Sequence, residues 1–126
     1  AENLDGKRVI MIDDSLVCGT TAGRLVALLR DAGATEVHVR ITCPPITHAC
    51  HFGVDMGHDD DLISSRLSLE ELRKEIGADS LAFLSLEGMM KAVGKEDGYC
   101  NACFTGAYPI TITKRLSKGM FDQVLA

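Results

Sequence analysis

Arg8-Val9-Ile10-Met11-Ile12-Asp13-Asp14-Ser15-Leu16-Val17-Cys18-Gly19-Thr20-Thr21 runs an apolar segment into two adjacent acids and then into a short Gly/Thr stretch. The apolar run ended by acids reads as a buried strand, and Gly-Thr-Thr opens a helix. Backbone N–H groups of a loop entering a helix N-terminus can hold a phosphate dianion. The two carboxylates can take sugar hydroxyls or a hydrated Mg2+, which keeps most of its waters. Gly19 lets the backbone approach a ligand closely and tolerate positive φ. Side chains alternate faces along a strand, so Asp13 and Asp14 reach one ligand only if regular strand geometry ends between them. The same letters also admit a purely structural reading, in which Thr20 is an N-cap behind a strand that ends in acids.

Downstream of this stretch, Ala22, Leu25, Val26, Leu28, Leu29 and Ala32 recur at helical spacing, and Gly33 stands where a left-handed C-terminal cap belongs. Glu36 to Thr42 alternates with Val37, Val39 and Ile41 as a second strand, and Pro44-Pro45 stops it. Strand, helix and strand make a βαβ unit, whose right-handed crossover sets the strands parallel. Ser68 with Glu71 forms a capping-box pattern for a helix through Leu72 and Ile76, closed by Gly77. Ser80 to Leu84 is a further short strand, and Ser85 caps a helix to Val93 that Gly94 ends. The alternation predicts an α/β domain with a mostly parallel sheet flanked by helices and with ligands at the carboxyl ends of the strands.

A chain of 126 residues suits one core, and a net charge of -5 without a basic cluster argues against a nucleic-acid groove. No apolar run approaches the ~20 residues of a membrane span, and Ala1-Glu2-Asn3 lacks a signal peptide's features, so a cytoplasmic protein is expected. Five cysteines, an odd number, read better as thiols or metal ligands than as a disulfide framework. Cys100-Asn101-Ala102-Cys103 has metal-ligand spacing, and Cys43, His48, Cys50 and His51 cluster in a Pro-rich loop. Tetrahedral zinc and a [4Fe–4S] cluster both suit thiolates drawn from two loops. His58-Asp59-Asp60-Asp61 reads as a solvated turn whose acids favour the next helix's N-terminus.

Other acidic-loop folds do not match. A phospho-acceptor receiver needs an Asp ending a later strand, but Cys43 and Ser85 follow those strands. A phosphate loop with Gly-Lys-Ser/Thr and a dinucleotide fingerprint with spaced glycines are both missing.

The opening stretch resembles the phosphoribosyl pyrophosphate signature of phosphoribosyltransferases. Ala34–Ile41, Pro44-Pro45-Ile46, Ile76–Leu81, Leu84–Gly88 and Tyr99–Gly106 are similar, in order, to blocks of the glutamine amidophosphoribosyltransferase family in its iron–sulfur form. The resemblance covers roughly Glu2 to Pro109. It implies part of a type I phosphoribosyltransferase fold: residues 1–109 as the C-terminal half of that domain, and 110–126 as a tail. It implies that Asp13 and Asp14 contact the ribose hydroxyls and Mg2+ and act in catalysis. Ser15, Leu16, Val17, Cys18, Gly19, Thr20 and Thr21 would enclose the 5′-phosphate of phosphoribosyl pyrophosphate.

It further implies Cys50, Cys100 and Cys103 as iron–sulfur ligands, with the fourth family cysteine upstream of this sequence and Cys43 or His48 as stand-ins. Cys18 and Cys43 match no ligand position, and Cys18 stands where the family commonly carries Arg. The implied reaction is a glycosyl transfer of glutamine-derived ammonia in purine synthesis, by an enzyme expected to be a homo-oligomer. The glutaminase domain and the first half of the transferase domain lie outside this sequence, so the isolated chain is expected to be inactive. Two other classes remain open: a non-catalytic phosphoribosyl pyrophosphate or nucleotide sensor, and a metal-stabilised interaction domain.

Overall fold

In the computed structural model, which describes residues 4–56, 59–94 and 98–112, the chain forms three strands and five helices among those residues. Strand β1 (Arg8–Asp13) leads through a loop into helix α1 (Thr20–Asp31), which returns the chain to β2 (Glu36–Ile41). A long loop then passes a 3-10 turn (Asp59–Asp61) and two helices, α2 (Ile63–Arg66) and α3 (Leu69–Glu75). Strand β3 (Ser80–Phe83), α4 (Leu86–Ala92) and α5 (Ala102–Thr105) complete it. The sheet order is β1-β2-β3 and both pairings are parallel, Arg8 to Asp13 opposite Glu36 to Ile41 and His38 to Ile41 opposite Ser80 to Phe83. The α/β class and the parallel βαβ unit are as the sequence pattern predicts.

Propensity and capping explain the helices. Ser68 Oγ accepts from Glu71 N–H at 3.4 Å while Glu71 Oε2 accepts from Ser68 N–H at 2.8 Å, closing the expected capping box of α3. Glu70 accepts two bonds from the Arg73 guanidinium, at 2.8 and 2.7 Å, which hold its carboxyl down at about 2. Ser85 Oγ accepts from Gly88 N–H at 3.0 Å to start α4. Asp79 is a staple that no sequence signal announced. Its Oδ2 accepts from Val37 N–H at 2.7 Å and from the Arg30 guanidinium at 2.8 Å, joining β2, α1 and the entry to β3, and the Val37 bond leads in lowering its pKa.

The core lies on the sheet face that carries Val37, Val39, Ile41 and Leu81, filled by Ala22 and Val26 of α1 and by Leu72 and Ile76 of the α3 region. Each buried Val, Leu or Ile among them contributes roughly 1.5–3 kcal/mol by leaving water. Within α1 the predicted apolar set divides. Ala22 and Val26 are buried and Leu29 packs against the core, whereas Leu25 and Leu28 are exposed.

Strand β1 departs from the expected buried strand: Ile10 is 65% and Ile12 70% exposed. The cause is one-sided packing at a sheet edge, because among the described residues the face bearing Ile10, Ile12, His38, Arg40 and Ala82 carries no buried side chain. That face is knitted by polar groups instead. Glu36 Oε2 accepts from Arg8 Nε and pairs with His38 Nε2, both at 2.8 Å, and Ser80 Oγ meets His38 Nδ1 at 2.8 Å and Arg40 Nη1 at 2.9 Å. Residues 113–126, including Lys114-Arg115 and most of the predicted tail, lie outside the described residues. No helix of the described residues is long and apolar enough to cross a membrane.

Candidate functional site

Strand geometry ends at Asp13, as joint use of the two acids requires. Asp13 O accepts from Thr42 N–H at 2.9 Å, pinning the end of β1 to the residue after β2. The Asp13 side chain turns back, its Oδ1 accepting from Asp14 N–H at 2.9 Å, and Asp14 Oδ1 accepts from Ser15 Oγ–H at 3.0 Å. One oxygen of each carboxylate is thereby engaged, and among the described residues each Oδ2 makes no hydrogen bond.

The loop that follows is anchored from below. Leu16 is only 3% exposed, and Ala22 is buried one turn into α1. Gly19 is the N-cap of α1 with φ +75°, and no side chain caps the helix. The positive φ disfavours any larger residue, and a Cβ at Gly19 would stand 2.6 Å from Ile63 Cδ1, so the end of the Ile63 side chain would have to shift. Among the described residues the N–H groups of Leu16, Val17, Cys18 and Gly19 bond no carbonyl of the chain. With the uncapped first turn of α1 they make a row of donors suited to an anion. Every predicted residue from Asp13 to Thr21 except Thr20 lines one cavity of about 300 Å³, together with Ala22.

A second cavity, of about 570 Å³, shares Val17 and Cys18 with the first and is otherwise lined by Asp55, Met56, Asp60, Asp61 and Arg66. Helix α2 is tied to the loop, since Ile63 N–H donates to Val17 O at 2.9 Å. Sequence reasoning missed this helix because four residues are too few for a periodic signal. The acidic turn also has more structure than a solvated loop: Asp59 Oδ1 accepts from Ala49 N–H at 2.6 Å. His58 lies outside the described residues.

The predicted thiol ligands sit on two loops that protein hydrogen bonds already join. Thr47 and His48 N–H both donate to Cys103 O at 3.0 Å, and Tyr108 Oη–H donates to Ala49 O at 2.6 Å. Gly106 has φ +74° and backs directly onto the His48 ring, where a Cβ would meet Nε2 at 2.7 Å. Tyr108 also faces the His51 ring at 5.0 Å.

Cys50 Sγ accepts from Phe52 N–H at 3.4 Å. Burial raises the Cys103 thiol, its own N–H and that of Phe104 oppose the rise, and Cys50 and Cys100 nearby add to it. Amides aimed at sulfur suit a thiolate, whether or not a metal shares it. Among the described residues, however, no three Cys, His, Asp or Glu side chains are arranged to hold a metal ion. Cys43 is different. Its Sγ donates to Pro44 O at 3.2 Å, and burial, followed by Cys103 and Asp14, pushes the thiol up to about 11.

With this geometry in hand, comparison with known proteins is informative. An amidophosphoribosyltransferase of Bacillus subtilis is 54% identical over 114 residues, covering 86% of this chain and 24% of the relative. A Synechocystis amidophosphoribosyltransferase is 49% identical over 126 residues, 98% of this chain and 26% of the relative. The solved glutamine phosphoribosylpyrophosphate amidotransferase of B. subtilis, complexed with ADP and GMP, superposes with a TM-score of 0.78 at 54% identity, over 84% of this chain and 24% of that one. This chain belongs to the amidophosphoribosyltransferase family. Its three parallel strands and helices match a part of the phosphoribosyltransferase fold, and it spans about a quarter of the length of the relatives it matches. A scan against family models gave no match.

Proposed function

We propose that the loop from Asp13 to Thr21 is the ribose-5-phosphate half-site of an amidophosphoribosyltransferase, with phosphoribosyl pyrophosphate as substrate. The observation that carries this reading is the cavity in which the Asp13 and Asp14 carboxylates face the same space as the unspent loop amides at the N-terminus of α1. In the proposed reaction the nitrogen lone pair of ammonia attacks C1 of the ribose. The C1–O bond breaks, pyrophosphate leaves with the electron pair, and the nitrogen loses a proton to give 5-phosphoribosylamine. Asp13 and Asp14 orient the ribose hydroxyls near attack geometry and favour the positive charge that develops on the ring. Asp13 and Asp14 would hold Mg2+, which would supply charge neutralisation for the leaving pyrophosphate.

The rest of such an enzyme, a glutaminase and the first half of the transferase domain, is the proposed partner of this segment, and the whole is proposed to assemble as a homo-oligomer. Cys50, Cys100 and Cys103 are proposed as three ligands of a [4Fe–4S] cluster, with zinc as the alternative. A cluster here fixes two loops that bury little apolar surface; the transfer asks no redox chemistry of it. Free rather than paired cysteines at all five positions accord with a reducing compartment such as the cytoplasm.

Isothermal titration of this chain with ribose 5-phosphate and Mg2+ tests the site. Saturable binding that Asp14→Asn weakens at least about tenfold supports it, at roughly 1.4 kcal/mol per decade. No binding, or equal binding by the variant, overturns it. Glutamine- or ammonia-dependent phosphoribosylamine formation by this chain alone would refute the half-site description. Anaerobically prepared protein that is brown, with broad absorption near about 400 nm, supports the cluster; colourless protein with stoichiometric zinc rejects it.

A further inference from the structure

A phosphate dianion bound on Ser15 to Thr21 meets amides and hydroxyls but no positive side chain, because that segment contains no Lys or Arg and begins beside two carboxylates. With Mg2+ assigned to the carboxylates and the pyrophosphate, the dianion on the loop is left with neutral donors and no cation of its own. We propose that Arg66 is a phosphate-binding residue whose guanidinium supplies the positive charge this loop lacks. The proposal rests on the sugar-phosphate reading of the loop.

Three observations carry it. First, Val17 and Cys18 wall both cavities, and among the described residues lining either one Arg66 is the only Lys or Arg. Second, α2 is fixed to the loop by the Ile63 N–H bond to Val17 O, and the Ile63 side chain fills the space over Gly19. Arg66 lies three residues after Ile63, on the same side of the helix, and lines the cavity whose wall Val17 and Cys18 form. Third, Arg8, Arg30, Arg40 and Arg73 are spent on acceptors within the chain and Arg24 lines neither cavity, whereas Arg66 makes no hydrogen bond or ion pair among the described residues.

Asp55, Asp60 and Asp61 line the same cavity as Arg66. Their field retains the cation there and opposes a bare anion. A phosphate that arrives on a sugar, with hydroxyls for Asp13 and Asp14, is therefore favoured over free phosphate.

The test uses this chain with ribose 5-phosphate and Mg2+ as probe, read by calorimetry and by the NMR signal of the Arg66 Nε–H group. Arg66→Gln is expected to weaken binding by about ten- to a hundredfold, the range for losing a bond to a charged group. Arg66→Lys keeps part of the affinity, because it retains charge without the fork of donors. Cys18→Arg, which places a cation inside the loop, restores most of the affinity in the Arg66→Gln background and adds less to the wild type. In the wild type the Nε–H signal shifts with saturation. Unchanged affinity in Arg66→Gln, or a motionless Nε–H signal while the loop amides shift, overturns the role of Arg66 and leaves the loop site standing. Wild-type protein that binds nothing, with the loop amides motionless, overturns both.

Discussion

The loop from Asp13 to Thr21 and the paired thiol loops are the two candidate sites of this chain, and they are assembled in opposite ways. Residues 13–21 are contiguous, anchored by one buried leucine and shaped by one glycine, and their donors are mostly backbone. The thiol region joins segments about fifty residues apart, and it holds together through Cys103 O, Ala49 O and the Tyr108 hydroxyl. A site made from adjacent residues comes preformed with its strand and helix. A site made from distant loops depends on each cross-link between them.

The largest expected effect sharpens the first half of that contrast. Leu16→Ala removes the anchor beneath the loop and should cost about 2–5 kcal/mol in urea unfolding, with ribose 5-phosphate binding lost alongside. A variant that binds normally would show that the loop keeps its shape without its anchor. Next, Gly19→Ala puts a Cβ on a positive-φ backbone and shifts the tip of Ile63, so a loss of about 1–2 kcal/mol is expected in the same assay. A smaller change follows in the thiol region. Tyr108→Phe deletes one interloop bond and should cost about 0.5–1.5 kcal/mol, while leaving binding at the phosphate loop untouched. Any coupled loss of sugar-phosphate affinity would break the separation of the two regions.

The finest test uses Cys43, whose thiol feels both Cys103 and Asp14. With its pKa raised to about 11, roughly one molecule in a thousand carries the thiolate at pH 8. Alkylation followed by mass spectrometry should label exposed Cys18 and Cys100 well before Cys43, and the lag should shrink as pH rises toward the Cys43 value. Equal rates at pH 8 would show that burial does not protect this thiol.

Much of the fold could be read in the sequence because its signals are local. Val37, Val39 and Ile41 alternate, Ser68 and Glu71 close a box, and Gly19 and Gly77 sit at helix boundaries. The acid pair and its loop were legible for the same reason. What escaped depends on partners distant in sequence. The role of Asp79 requires knowing that Val37 N–H and Arg30 lie beside it, and Asp59 needs Ala49. The exposure of Ile10 and Ile12 could not be inferred from an apolar run, since composition does not say which face of a sheet other elements cover. Arg66 was invisible because its helix is one turn long and its relevance comes only from the wall it shares with Cys18.

The uncovered side of the sheet also governs how this polypeptide behaves in a test tube. Among the described residues strand β1 ends the sheet, so its outer row of peptide groups and its two isoleucines together offer a sticky template to other molecules. Concentrated or warmed samples should therefore precipitate through strand-to-strand stacking well below the temperature at which the buried valines and leucines come apart. A lysine at Ile10 or Ile12 is the simplest cure.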